Sequence, residues 1–229
     1  AKRTMTSVRQ APSATGHGKR RVYSKNMADR LTLIGFRYSV YTRIVRMALL
    51  ELGFEAEYVE VDPFFAPPNP ELSRYTPFGR VPVLRHGAFT LTETAAIVGY
   101  LCDLSAGRSL RPQTAQGSAR MMQVIGIIDA YGYQPLVRDV FSHGFYRQQM
   151  GEEFGLVKAR PALQVLDMIA QEGLQLNGQA ISLADIHLAP MMAYFTKVSE
   201  AAELLRGFPA LSGWWTQLCG RPSLIATDP

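Results

Sequence analysis

Cysteine is scarce in this chain, with two in 229 residues. Cys102 and Cys219 stand far apart in apolar helical contexts, in neither a CxxC pair nor a Cys/His spacing that would hold zinc. That pattern excludes a dithiol redox motif and a zinc finger. Both thiols are expected to be buried and reduced, as suits a cytoplasmic protein. Long apolar runs are lacking too. Nothing approaches the roughly 20 residues of a bilayer span, and no basic stretch leads into the apolar core of a secretory signal. Neither a membrane nor export is expected. Acids are missing from residues 1–26, which hold seven bases: Lys2, Arg3, Arg9, Lys19, Arg20, Arg21 and Lys25. Removing these from the 24 Lys and Arg leaves 17 against 19 acids, so the remainder carries about −2 while the chain carries +5. The basicity is confined to the extension, and the body offers no nucleic-acid surface. Apolar periodicity is absent from residues 1–29 as well, so this Ser-, Thr- and Gly-containing extension cannot offset the entropy of ordering and is expected to be disordered. Its composition fits a transit peptide, a translation start set upstream of Met27, or a phosphate-binding arm.

What remains is rich in pattern. Leu31 to Phe36 is a short apolar run that predicts a buried strand. After a polar break, Val40, Ile44, Val45, Ala48, Leu49 and Leu52 recur at helical spacing, and Gly53 supplies a left-handed stop. Glu55 to Asp62 alternates as a second strand, which a right-handed crossover would place parallel to the first. The proline-dense stretch 63–70 predicts a loop. Two further strands, Arg80 to Leu84 and Phe89 to Leu91, are joined at His86-Gly87, and a helix follows from Thr92. From Thr114 onward only helical periodicity shows. The expected architecture is α/β followed by all-α: a βαβ-ββα domain over residues 30–106, a linker at 107–116 and an all-helical domain over 117–229. Within the latter, Ser182 and Asp185 form a capping pair ahead of a helix containing Pro190, a folding signal rather than a site.

Three features fall at one end of the expected sheet. Val81-Pro82 puts a proline where a strand begins. If that bond is cis, the Val81 backbone is left free to pair with an extended peptide. Glu93-Thr94 opens a helix whose amides would hold a carboxylate, with Glu93 beside a ligand ammonium. Ser39 opens the first helix amid other hydroxyls, Tyr38, Tyr41 and Thr42. Together these describe a pocket for a small zwitterionic peptide. Taken singly, Ser39 also fits a plain N-cap and Glu93 an acid complementing the helix dipole.

The motifs resemble those of cytosolic glutathione transferases, in the serine-containing form met in bacterial-type members. Ser39-Val40-Tyr41-Thr42-Arg43-Ile44-Val45-Arg46 is similar to the family's Ser-x-Tyr/Phe-x-x-x-Val-Arg. Thr76-Pro77-Phe78-Gly79-Arg80-Val81-Pro82-Val83-Leu84 is similar to its Asn-Pro-Phe-Gly-Lys-Val-Pro-x-Leu. Leu91-Thr92-Glu93-Thr94 and Ser182-Leu183-Ala184-Asp185 follow in the family order, as does a closing Arg-Pro-Ser, and the resemblance runs from Leu31 to Ser223. It implies a thioredoxin-like N-terminal domain and glutathione as co-substrate. Ser39 would bond the sulfur, Val81 would pair with the cysteinyl backbone beside Pro82, Glu93 and Thr94 would hold the γ-glutamyl end, and Arg80 would contact the tripeptide. Tyr38 and Tyr41 remain alternative donors to the thiol, and Tyr41 also lines the substrate site.

The resemblance further implies conjugation of the thiolate to hydrophobic electrophiles, a role in detoxification and a homodimer. Met121, Met122, Ile125, Tyr131, Tyr133, Phe141 and Tyr146 supply apolar surface for the second substrate, although any one of them taken singly fits plain core better. Thiol-reductase relatives carry Cys where this chain has Ser39, and the isomerase class reads Ser-Ser-Cys. Val40 stands where Pro is frequent, and Thr94 where Ser is commoner. A family member kept only as a binding or assembly module is the alternative, as are dehalogenation, isomerisation or peroxide reduction with glutathione.

Overall fold

The computed structural model describes residues 30–64, 69–142 and 152–229. The basic extension and Tyr146 lie outside the described residues. Strand β1 (Leu31–Gly35) leads into helix α1 (Val40–Leu52), which returns to β2 (Glu57–Glu60) parallel to β1. A short helix α2 (Pro70–Ser73) precedes β3 (Val83–His86) and β4 (Phe89–Leu91), both antiparallel additions, so the sheet order is β2-β1-β3-β4. Helix α3 (Thr94–Leu104) closes the unit. β1 is apolar on both faces because both are covered. Leu31 and Leu33 join the large core under α1 and α3, while Ile34 packs with Val61, Leu72 and Val83 on the α2 side. Gly53 ends α1 at φ 76°, in the left-handed stop its position predicts.

Several expected boundaries move, β2 among them, which is shorter than the expected Glu55 to Asp62. β3 begins at Val83 rather than Arg80, because Pro82 has no amide for the ladder and the Val81-Pro82 bond is cis. The last helix of the unit starts at Thr94 rather than Thr92, after a Glu93 whose φ of 67° is not helical. Pro70, placed in the loop by composition, opens α2, where its fixed φ suits a first helical turn.

Beyond α3 every regular element among the described residues is helical. α4 (Ala115–Ile127) continues without a break into π-type turns over Ile128–Gly132 and Gln134–Ser142. Pro135 cannot donate to the preceding turn, which is compatible with the wider helix there. α5 (Glu152–Glu172), α6 (Leu183–Phe195), α7 (Ser199–Arg206), α8 (Pro209–Leu218) and α9 (Pro222–Ile225) complete the chain. α6 is buried almost all round and runs through Pro190 as one helix. Its capping pair forms as expected: the Ser182 amide donates to Asp185 Oδ2 at 2.7 Å, and Trp214 Nε1 donates to Asp185 Oδ1 at 2.7 Å. Cys102 is buried, but Cys219 is exposed, because it lies at the solvent end of α8. No helix of the described residues is long and apolar enough to cross a membrane.

Candidate active site

The loop between β1 and α1 is drawn tight by its own residues. The Ser39 amide donates to the Phe36 carbonyl at 2.9 Å, and the Phe36 amide donates to Thr42 Oγ1 at 3.2 Å. Arg37 reaches back to Glu60 of β2 through its amide and its Nε, at 3.1 and 3.2 Å. Gly35 is required here: a Cβ on it would collide with Thr42 Cγ2 and press on the Tyr58 ring. Strand end and helix start thus touch, and Ser39 sits at the junction, half-buried, with extended φ −75° and ψ 121°.

Ser39 Oγ accepts the Thr42 amide at 3.3 Å, the bond of an N-cap. A hydroxyl that accepts keeps its proton, and no described residue takes it. The Val40 and Tyr41 amides are also without partners among the described residues. One hydroxyl donor and two amides therefore stand at the positive end of a 13-residue helix, an arrangement suited to an anion.

The cis Val81-Pro82 pair lies next to this point, because Val83 pairs with Ile34, the residue before Gly35. The Val81 amide and carbonyl make no hydrogen bond with other described residues. Glu93 is exposed at the start of α3, its side chain caps nothing, and Thr94 behind it is buried. A non-glycine residue at φ 67° and ψ 116° is strained by about 1–3 kcal/mol, a cost that folds tolerate mainly where function needs the geometry. Arg80 is exposed on the same side, near enough for its charge to act on the Tyr41 hydroxyl.

Across the cleft stand residues of the helical half. Tyr41 packs its ring against Tyr133, with centroids 5.1 Å apart, and its hydroxyl lies close enough to Asp129 for the two to influence each other's protonation. Burial first, then the charge of Asp129, hold the Tyr41 phenol well above its usual range, so it stays protonated. Asp129 is open to solvent, yet the protein crowded around it raises its carboxyl, the like charge of Glu93 adds to the rise and the Tyr41 hydroxyl opposes it. The Tyr38 ring is exposed and tilts onto Phe36 at 5.3 Å, while the Tyr38 carbonyl accepts the Tyr194 hydroxyl at 3.0 Å.

Ser39, Tyr41, Arg80, Val81, Pro82, Glu93 and Thr94 thus lie about one end of the sheet. The expected electrophile surface is reduced. Met121 and Ile125 are core residues, and Phe141 stacks on Tyr194 at 4.1 Å, because helical spacing marks an apolar face without saying which neighbour covers it. Met122 and Tyr131 are exposed, and Tyr133 reaches Tyr41. Asp129 went unforeseen, though a signal existed, since it is the one charged residue in the apolar stretch 121–137.

Models of the glutathione S-transferase N-terminal domain and C-terminal domain match residues 33–109 and 153–222. The chain belongs to the glutathione S-transferase family. Its sheet is that family's thioredoxin-like domain, and its helical half the family's C-terminal domain. Similar curated proteins include glutathione S-transferase F13 of Arabidopsis thaliana, 27% identical over 209 residues, which cover 87% of this chain and 95% of that one. The probable glutathione S-transferase GSTF2 of Oryza sativa subsp. japonica is 29% identical over 194 residues, covering 80% and 87%. Among solved structures, glutathione S-transferase III in apo form superposes with a TM-score of 0.72 at 26% identity, over 86% of this chain and 95% of that one. A glutathione S-transferase-I bound with lactoylglutathione gives 0.73 at 24% identity, over 87% and 98%.

Proposed function

We propose that this chain conjugates glutathione to small hydrophobic electrophiles, with Ser39 and the first amides of α1 stabilising the sulfur as thiolate. The observation that carries the proposal is the Ser39 hydroxyl, which accepts the Thr42 amide and keeps a proton to donate at the helix's positive end. A free thiol with a pKa of about 8.5 is only a few per cent ionised at neutral pH, and lowering that value by two units takes about 2.7 kcal/mol of preferential stabilisation. A charge-assisted hydrogen bond to sulfur together with the helix terminus is of that size. The thiol proton leaves to solvent, the sulfur lone pair forms the S–C bond, and the electrophile's leaving group departs with its bonding pair.

The tripeptide pairs its cysteinyl backbone with Val81, next to Pro82, and presents its γ-glutamyl end to Glu93 and Thr94, with Arg80 at its flank. The electrophile lies against Tyr41, Tyr133, Met122 and Asp129. The protein is a cytoplasmic homodimer engaged in detoxification, with residues 107–116 linking its domains. The exposed aromatic rings of Phe78 and Phe89 support a partner surface on the sheet domain. Retention on immobilised glutathione, followed by conjugation of a chlorinated nitrobenzene, tests the reading. Failure to bind at millimolar glutathione overturns it, and binding without turnover reassigns the chain to a binding module.

A further inference from the structure

The entry of α1 is held from behind by groups that play no part in the site described above. Arg43 lies one turn into α1, its amide donating to the Ser39 carbonyl at 3.0 Å, and its side chain is wholly buried. The guanidinium meets the Leu224 carbonyl at 3.4 Å and the Asp228 carboxylate at 3.0 Å, and its carbon lies 5.2 Å from the Tyr194 ring. Lys197 shares Asp228 at 3.2 Å and lies 5.3 Å from the same ring. The Tyr194 hydroxyl donates to the carbonyl of Tyr38, the residue before Ser39. The rest of α1 is strapped by the same segment: Arg46 reaches the Ala226 and Thr227 carbonyls, and Glu51 takes Arg221 in a two-pronged pair at 2.7 Å.

We infer that Tyr194 is a positioning residue for the thiolate site, fixing the Tyr38–Ser39 peptide from the helical domain and held in register by the Arg43, Lys197 and Asp228 cluster. The inference rests on the transferase reading for its chemistry. The direction of the Ser39 hydroxyl follows from the orientation of the peptide before it, and a hydrogen bond to the Tyr38 carbonyl sets that orientation. Burial pushes the Tyr194 phenol up to about 12, so it remains a donor throughout the working range. The charged and titratable groups facing it are Arg43 and Lys197, Asp228 and the Tyr38 phenol.

Tyr194→Phe removes the hydroxyl and keeps the ring stacked on Phe141. The apparent pKa of enzyme-bound glutathione, read from thiolate absorbance against pH, is expected to rise by about half a unit to one unit. At neutral pH kcat should then fall about three- to tenfold, with KM for glutathione within about twofold. Amide exchange at residues 39–43, measured without glutathione, is expected to quicken while the β1–β3 ladder is unchanged. If the phenylalanine variant does not fold, Asp228→Asn, at a half-exposed carboxylate, is expected to shift both readouts in the same direction by less. A wild-type protein that leaves the bound thiol at its free value sinks the transferase reading alone, since exchange at 39–43 still reports on the positioning. Unchanged exchange, or an unchanged thiol pKa beside a depressed wild-type value, overturns the inference.

Discussion

At residue 39 one oxygen accepts from its own helix and, on the proposed reading, donates outward to sulfur. Substitution by alanine removes both. Ser39→Ala is expected to raise the pKa of bound glutathione by about one unit or more, roughly 1.4 kcal/mol, while tripeptide affinity changes little. Thiolate absorbance against pH and equilibrium binding read the two quantities. An unchanged pKa would move the donor role to Tyr38 or Tyr41. His187 makes a second residue-level claim. It is buried in α6 with Nδ1 donating to the Leu183 carbonyl at 2.8 Å and Nε2 unpartnered, and burial lowers its pKa to about 4 from 6.5. The folded protein therefore binds fewer protons here than the unfolded chain. This contribution is fully present above pH 6.5 and is lost as the pH falls towards 4, by up to about 3 kcal/mol. Denaturant unfolding between pH 4 and 8 should show that slope, and a His187→Phe variant should show less of it.

Among the elements, the β1–α1 junction has no slack. Gly35→Ala should destabilise the protein by about 1–3 kcal/mol, since its methyl meets Thr42 Cγ2. Thr42→Ser in the same chain removes that methyl, keeps the hydroxyl that accepts the Phe36 amide, and should recover part of the loss in thermal unfolding. The π-type turn after α4 presents Asp129 towards Tyr41. Asp129→Asn should lower the Tyr41 phenol pKa, because a neighbouring charge is removed, although burial, the larger cause, remains. Steady-state kinetics should show KM for the electrophile changing more than KM for glutathione. Equal changes would place Asp129 with the tripeptide instead.

Much of this arrangement can be read before folding, where local chemistry dictates it. The 3.6 periodicity of Val40 to Leu52 and the cap at Gly53 define α1, and the apolar run at Leu31 defines β1, because each element buries a face its own residues encode. Pro82 marks the edge of a strand but not its first residue, which is why β3 starts three positions later than expected. Met121, Ile125 and Phe141 belong to the same apolar faces as the site residues, and only packing decides between core and cleft. A π-type turn carries no compositional signature of its own, so Asp129 could not be aimed from sequence. The buried Arg43 looks, in the chain, like any basic residue on a helix.

Ser39 lies in one domain, and the hydroxyl that steadies the peptide before it lies in the other. On the proposed reading, helical halves exchanged between family members to alter electrophile preference would also exchange the support behind the sulfur site. A chimaera that omits a matched Tyr194 and Arg43 would change what it accepts and, unintentionally, how strongly it ionises the nucleophile.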